Sequence, residues 1–78
     1  MKQLNYTLII KPEPEGGFTV TVPALPGCVT YGATVEEAKT MAADAIGAYL
    51  TSLRKHREPI PHDIGSFVTT LTVRQGAI

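Results

Sequence analysis

The side chains able to do chemistry are few, and their spacing restricts what each could do. One cysteine, Cys28, sits between a proline-rich turn and a short apolar segment. A thiolate nucleophile needs a nearby cation or a helix N-terminus to lower its pKa, and no such group flanks it, so Cys28 reads as a small buried side chain. His56 and His62 are six residues apart with Glu58 and Asp63 nearby. That interval matches no common metal-ligand pattern, and loop histidines account for it. Ser52 and Ser66 lack the glycine-flanked elbow of a serine nucleophile. Gly16-Gly17 lies between two strand-like segments and opens no helix, which removes a phosphate loop. Two-metal nuclease chemistry needs converging acids, commonly one on the first strand, and Leu4 to Lys11 carries none. No catalytic, cofactor-binding or metal-binding residue is therefore assigned, and the expected role is not enzymatic.

The acids that remain are Glu13, Glu15, Glu36, Glu37 and Asp44. Residues 1–45 hold five acids against three bases, so these carboxylates form a candidate partner-binding patch or a solvated face. Arg54-Lys55-His56-Arg57 is a basic counterpart, read first as the charge complement of a helix C-terminus and second as an RNA contact.

The whole chain has 78 residues, 44 % hydrophobic and 18 % charged, with seven bases against seven acids. This is one globular domain, residues 1–78, near the lower size limit for folding without a staple. Zero formal charge gives no electrostatic grip on nucleic acid and little repulsion between copies. A lone cysteine excludes an internal disulfide and fits a reducing compartment. Met1 to Asn5 does not resemble a signal peptide, and no apolar run approaches the roughly 20 residues that span a bilayer, so a cytoplasmic location is expected.

Six prolines in three clusters cut the chain at Pro12–Gly17, Pro23–Gly27 and Pro59–Pro61. Before and between them, Leu4, Tyr6, Leu8 and Ile10 alternate, as do Phe18, Val20 and Val22, and Cys28 to Tyr31 makes a third short strand. The spacing then changes to a helical one. Thr34 and Glu37 form a capping box, and Val35, Ala38, Ala42, Ala45, Ile46, Tyr49, Leu50 and Leu53 make one apolar stripe. The small residues Ala42, Ala43, Ala45, Gly47 and Ala48 suggest close approach by the chain's own sheet or by another copy. Ser66 to Val73 alternates again and predicts a fourth strand.

A β-β-β-α-β order predicts an α+β fold with a four-stranded sheet, order 3-2-1-4, and one helix on one face. The opposite face would carry Thr7, Thr19, Thr21, Thr70 and Thr72 with Ile9 and Val68. Such a face invites self-association, as a homodimer or homotetramer.

The string Pro23-Ala24-Leu25-Pro26-Gly27-Cys28, followed by Gly32-Ala33-Thr34-Val35-Glu36-Glu37-Ala38, resembles the signature of the HicB-like antitoxin family. In this reading Pro23, Leu25, Pro26, Gly27, Cys28, Gly32, Thr34 and Glu37 are structural. The resemblance covers essentially the whole chain and implies a partial ribonuclease-H-like fold without nuclease activity. It also implies a partner: a small basic HicA-like toxin that cleaves mRNA and whose active surface the antitoxin occludes. Many members add a DNA-binding module; only Arg74-Gln75-Gly76-Ala77-Ile78 follows the last predicted strand, so direct DNA binding is not expected. The alternative is an orphan oligomeric domain of the same fold with a structural or small-ligand role.

Overall fold

In the computed structural model, which describes residues 3–77, three antiparallel strands are followed by one long helix. Met1, Lys2 and Ile78, which entered the signal-peptide and tail readings, lie outside the described residues. The strands are β1 (Ile9–Pro12), β2 (Phe18–Thr21) and β3 (Val29–Gly32), in spatial order β1-β2-β3; the helix, α1, is Val35–Lys55. Register pairs Ile10 with Val20 and Val20 with Thr30, and pairs Thr19 with Tyr31.

Why the strands are short follows from what interrupts them. The first strand, expected over Leu4 to Lys11, is only Ile9–Pro12, because Tyr6 and Thr7 bond to Pro61 and Asp63 of the connector instead of to a strand; β1 ends on Pro12, which has no donor for another ladder bond. Glu13 N–H closes the hairpin onto Gly17 C=O at 2.9 Å, with Gly16 and Gly17 at positive φ. β2 stops where Val22 enters the proline-rich turn. There Leu25 N–H donates to Val22 C=O at 3.0 Å, Cys28 N–H to Leu25 C=O at 2.9 Å and Val22 N–H to Cys28 C=O at 3.1 Å. Gly27, at φ +81°, supplies the left-handed residue that closes this turn. The turn drives Leu25 completely out of solvent and buries Cys28 behind it.

The capping box forms, displaced by one residue from its usual pattern. Glu37 N–H donates to Thr34 Oγ1 at 3.1 Å, while the Glu37 carboxylate accepts from Ala33 N–H at 2.8 Å rather than from Thr34 itself. At the other end, Glu58 N–H reaches Leu53 C=O at 2.9 Å and Arg57 N–H reaches Arg54 C=O at 3.1 Å. This is the double bond pattern that commonly ends on glycine, but here Arg57 holds the left-handed position at φ +57°.

The helix presents Ala38 and Ala42 to Val20, Phe18, Ile10 and Leu8. Its second half packs Ala45, Ile46, Tyr49 and Leu50 around Val22, Leu25 and Cys28. Val35, expected on the apolar stripe, is exposed because it precedes the point where helix and sheet meet. They meet where Ala38 lies over Gly32 of β3. A side chain there would strike the backbone of Glu37 and Ala38, so helix and strand touch main chain to main chain. Gly47 has no such role: an added Cβ would meet nothing, which overturns close packing on the chain's own sheet as its reason.

The expected four-stranded sheet is the main correction. Ser66 to Val73 pairs with no strand, and the sheet of the described residues has three strands. After the helix, the chain is tied to the N-terminal segment by Tyr6 Oη donating to Pro61 C=O at 2.7 Å and Thr7 N–H donating to Asp63 Oδ2 at 2.7 Å. Gly65, at φ +80°, follows; residues 66–76 form an exposed arm, with a 3-10 turn at Gln75–Ala77. Alternation reports that side chains suit a pleated surface; it does not place the neighbouring strand in the same chain. Thr70 and Thr72 therefore do not join the open sheet face, whose apolar members are Ile9, Val29 and Tyr31.

Gly32→Ala should lower stability by about 3 kcal/mol or more, because backbone must move to admit the methyl group. Gly47→Ala should raise it by about 1 kcal/mol, the helix-propensity difference. Thermal or denaturant unfolding of the two variants checks the pair; equal effects would contradict the assigned contact.

Candidate functional site

Four of the five candidate carboxylates come to one end of the molecule. Glu13 and Glu15 lie on the β1–β2 hairpin, and Glu36 and Glu37 in the first turn of α1. Two features hold these pieces together. Register places Phe18, the first residue after the hairpin, beside Gly32, which leads into the helix. Tyr31 Oη donates to Gly16 C=O at 3.0 Å, clamping the hairpin tip to the end of β3. Gly17 must remain glycine under that clamp, since a Cβ would collide with the Tyr31 ring and hydroxyl. Asp44 stands apart from the cluster. It is seven residues, two turns, beyond Glu37 on the same side of the helix, and it is exposed.

Not all of these acids are equally available. Glu37 is committed to the Ala33 amide, whereas Glu15, Glu36 and Asp44 are exposed. Lys11 and Lys39 are exposed as well, so the end is acidic in balance rather than uniformly negative.

The other reactive-looking residues take structural places. Burial pushes the Cys28 thiol up from its ordinary pKa, away from the thiolate form. His56 caps the helix: its backbone N–H reaches Ser52 C=O at 3.1 Å, and its Nδ1 donates to the same carbonyl at 2.8 Å. His62 lies on the connector beside Asp63, apart from His56. Tyr49 Oη donates to Pro26 C=O at 2.8 Å, tying the proline-rich turn to the helix.

Asp63 has a structural part that its position in the sequence did not suggest. The Thr7 backbone N–H donates to its carboxylate, the Thr7 and Ser66 side chains add further hydrogen bonds, and together these hold its pKa below the ordinary carboxylate value. Thr7 and Asp63 lie on either side of the entire sheet and helix in sequence, so no local pattern could signal the contact.

A groove of about 390 Å³ runs between the N-terminal segment and the helix, lined by Leu4, Tyr6, Leu8, Ala43, Ile46 and Gly47 among others. Its walls are chiefly apolar, with Lys39 at one side.

Three strands and one helix define a small α+β domain, with carboxylates at the hairpin end and an exposed arm at the other. The chain belongs to the HicB-like antitoxin family: residues 6–74 match the family described as the HicB-like antitoxin of bacterial toxin–antitoxin systems. It is 47 % identical over 66 residues to a UPF0150 protein of Thermoplasma acidophilum, covering 85 % of this chain and 96 % of that one. A UPF0150 protein of Synechocystis is 37 % identical over 59 residues, 76 % of this chain and 75 % of its own. The protein named antitoxin HicB 1 of Photorhabdus laumondii is 36 % identical over 61 residues, which make up 78 % of this chain and 39 % of that longer protein. Among the described residues, no helix is long and apolar enough to cross a membrane.

Asp63 yields a pH prediction. Its folded pKa is depressed, so its contribution to holding the connector is complete above the unfolded value, about 3.9, and is lost as pH falls through the lower folded value. In an NMR titration the Thr7 amide resonance should move with a midpoint below 3.9. Asp63→Asn should abolish that movement; a Thr7 amide indifferent to pH and to the substitution would remove the contact.

Proposed function

We propose that this protein is an antitoxin acting by binding rather than turnover: it neutralises a small, basic, mRNA-cleaving toxin of the HicA type by covering the toxin's active surface. Family membership supports the antitoxin role. The observation that carries the partner reading is the gathering of Glu13, Glu15, Glu36 and Glu37 at one end by the Tyr31–Gly16 clamp, with Asp44 two turns away. Carboxylates arranged on a rigid end steer a basic partner and select its orientation, even where the chain as a whole is neutral. The encounter belongs in the cytoplasm, where mRNA is translated.

The arm favours a second reading beside the first. Exposed apolar residues on an uncharged segment are the mark of an oligomeric domain, and the protein is taken to work as a homodimer or homotetramer. The two readings use different parts of the molecule. The hairpin tip follows β1 and precedes β2, whereas the arm is rooted on Thr7 before β1 and near Pro23 after β2, at the opposite end of the hairpin.

The test is a pull-down followed by binding kinetics. A small basic protein should co-elute at fixed stoichiometry, and cells expressing it should survive only when this chain is co-expressed. Glu15→Lys with Glu36→Lys should slow association about tenfold and flatten its dependence on salt. Glu37 is left intact because it caps the helix. Absence of any basic partner, or rescue and association rates unchanged by the double reversal, would reject the acidic end as the toxin-binding surface.

A further inference from the structure

The arm is where the chain departs furthest from what a compact fold of its size leaves exposed. The accessible surface is 6412 Å² for an 8.4 kDa chain, against roughly 4,600 Å² for a compact protein of that mass. The radius of gyration is 15.4 Å, against about 11.5 Å for a compact chain of this length. The long dimension, 51 Å, compares with 29 and 21 Å for the other two.

Composition makes that exposure consequential. Between Asp63 and Arg74 the arm carries no charge. Ile64, Phe67, Val68, Leu71 and Val73 are each between 66 % and 88 % exposed. Phe67 to Val73 has no proline, no glycine and a high proportion of β-branched residues, the composition of a segment that seeks another chain. The same molecule exposes a second apolar surface on the sheet face away from the helix. Ile9, Val29 and Tyr31 lie there at 45 %, 56 % and 52 % exposure. The arm's root overlies one end of that face, beside Thr7, Ile9 and Pro23.

We propose that two copies of this chain exchange arms: Phe67–Val73 of each lies against the open sheet face of the other, setting Phe67, Leu71 and Val73 over Ile9, Val29 and Tyr31. Donor and acceptor surfaces occur together on one chain, which is the condition for a self-complementary interface. Formal charge is zero, so nothing repels the second copy, and an uncharged arm offers no charge by which to select a basic partner. The surplus surface is about 1,800 Å² per chain, enough for two copies to bury the 1,200–2,000 Å² of a specific interface. Reciprocal exchange closes the pair, whereas one-way donation would run on into filaments. The proposal does not rest on the toxin reading, because it concerns the opposite end of the molecule and the chain alone.

Sedimentation of the full chain without any partner, at about 10–100 µM, should give twice the chain mass. Phe67→Asp with Leu71→Asp should weaken that dimer at least a hundredfold. The helical circular dichroism should stay unchanged, since both side chains are exposed within a single copy. As a second readout, Leu71→Cys chains mixed with Val29→Cys chains should form the mixed disulfide on mild oxidation, with the buried Cys28 unreactive. A monomer at 100 µM, open-ended higher species, a dimer indifferent to the two aspartates, or an intrachain disulfide in a chain carrying both Leu71→Cys and Val29→Cys would each overturn arm exchange. Any of those results would leave binding of a basic toxin at the hairpin end untouched.

Discussion

Everything in this molecule depends on how closely its one helix can approach its one sheet. Gly32 and Ala38 let the main chain of β3 and the first turns of α1 come into contact. Among the described residues the buried hydrophobic side chains are Val20, Val22, Leu25, Cys28, Ala38 and Ala42, so the core is thin and sensitive to small shifts at that contact. Thr34 and Glu37 serve the same junction by fixing where the helix starts. Gly32, Thr34 and Glu37 thus act together on the helix-to-sheet distance.

The proline-rich turn does at the other end what Gly32 does at the helix start. It folds Leu25 under the C-terminal half of the helix, and Tyr49 fastens the turn from above. Leu25, Val20 of β2 and Val22 at the start of the turn contribute about 1.5–3 kcal/mol each through burial. The turn also stops β2 early, which is why the strands reach only about 13 Å while the helix runs about 31 Å. The helix overhangs, and its basic end is carried clear of the sheet.

This geometry separates two surfaces. The hairpin tip, clamped by Tyr31, gathers carboxylates; the far end, held by Tyr6, Thr7 and Asp63, launches an apolar arm. A protein this small gains from such a division, since an assembly made at one end leaves the other free. In the roles proposed for them, charge acts at long range at the first surface and removal of apolar area from water at short range at the second.

The helix, its capping residues, β2, β3 and the faces they present were legible in the sequence, because each depends on contacts within a few residues; the first strand, expected over Leu4 to Lys11, forms only at Ile9–Pro12. Thr34 and Glu37 are three apart, and Phe18, Val20 and Val22 alternate. The burial of Cys28 was legible too, from the turn before it and the lack of a neighbouring cation. Tertiary structure alone decided that Gly32 faces Ala38, that Thr7 meets Asp63 and that Glu13 and Glu15 stand near Glu36. It also decided that Ser66 to Val73, a strand by its alternation, finds no strand beside it. The physical reason is common to all of these. Alternation and capping describe how a segment treats its own backbone and its two sides, whereas pairing depends on the position of groups tens of residues away, which no local pattern encodes.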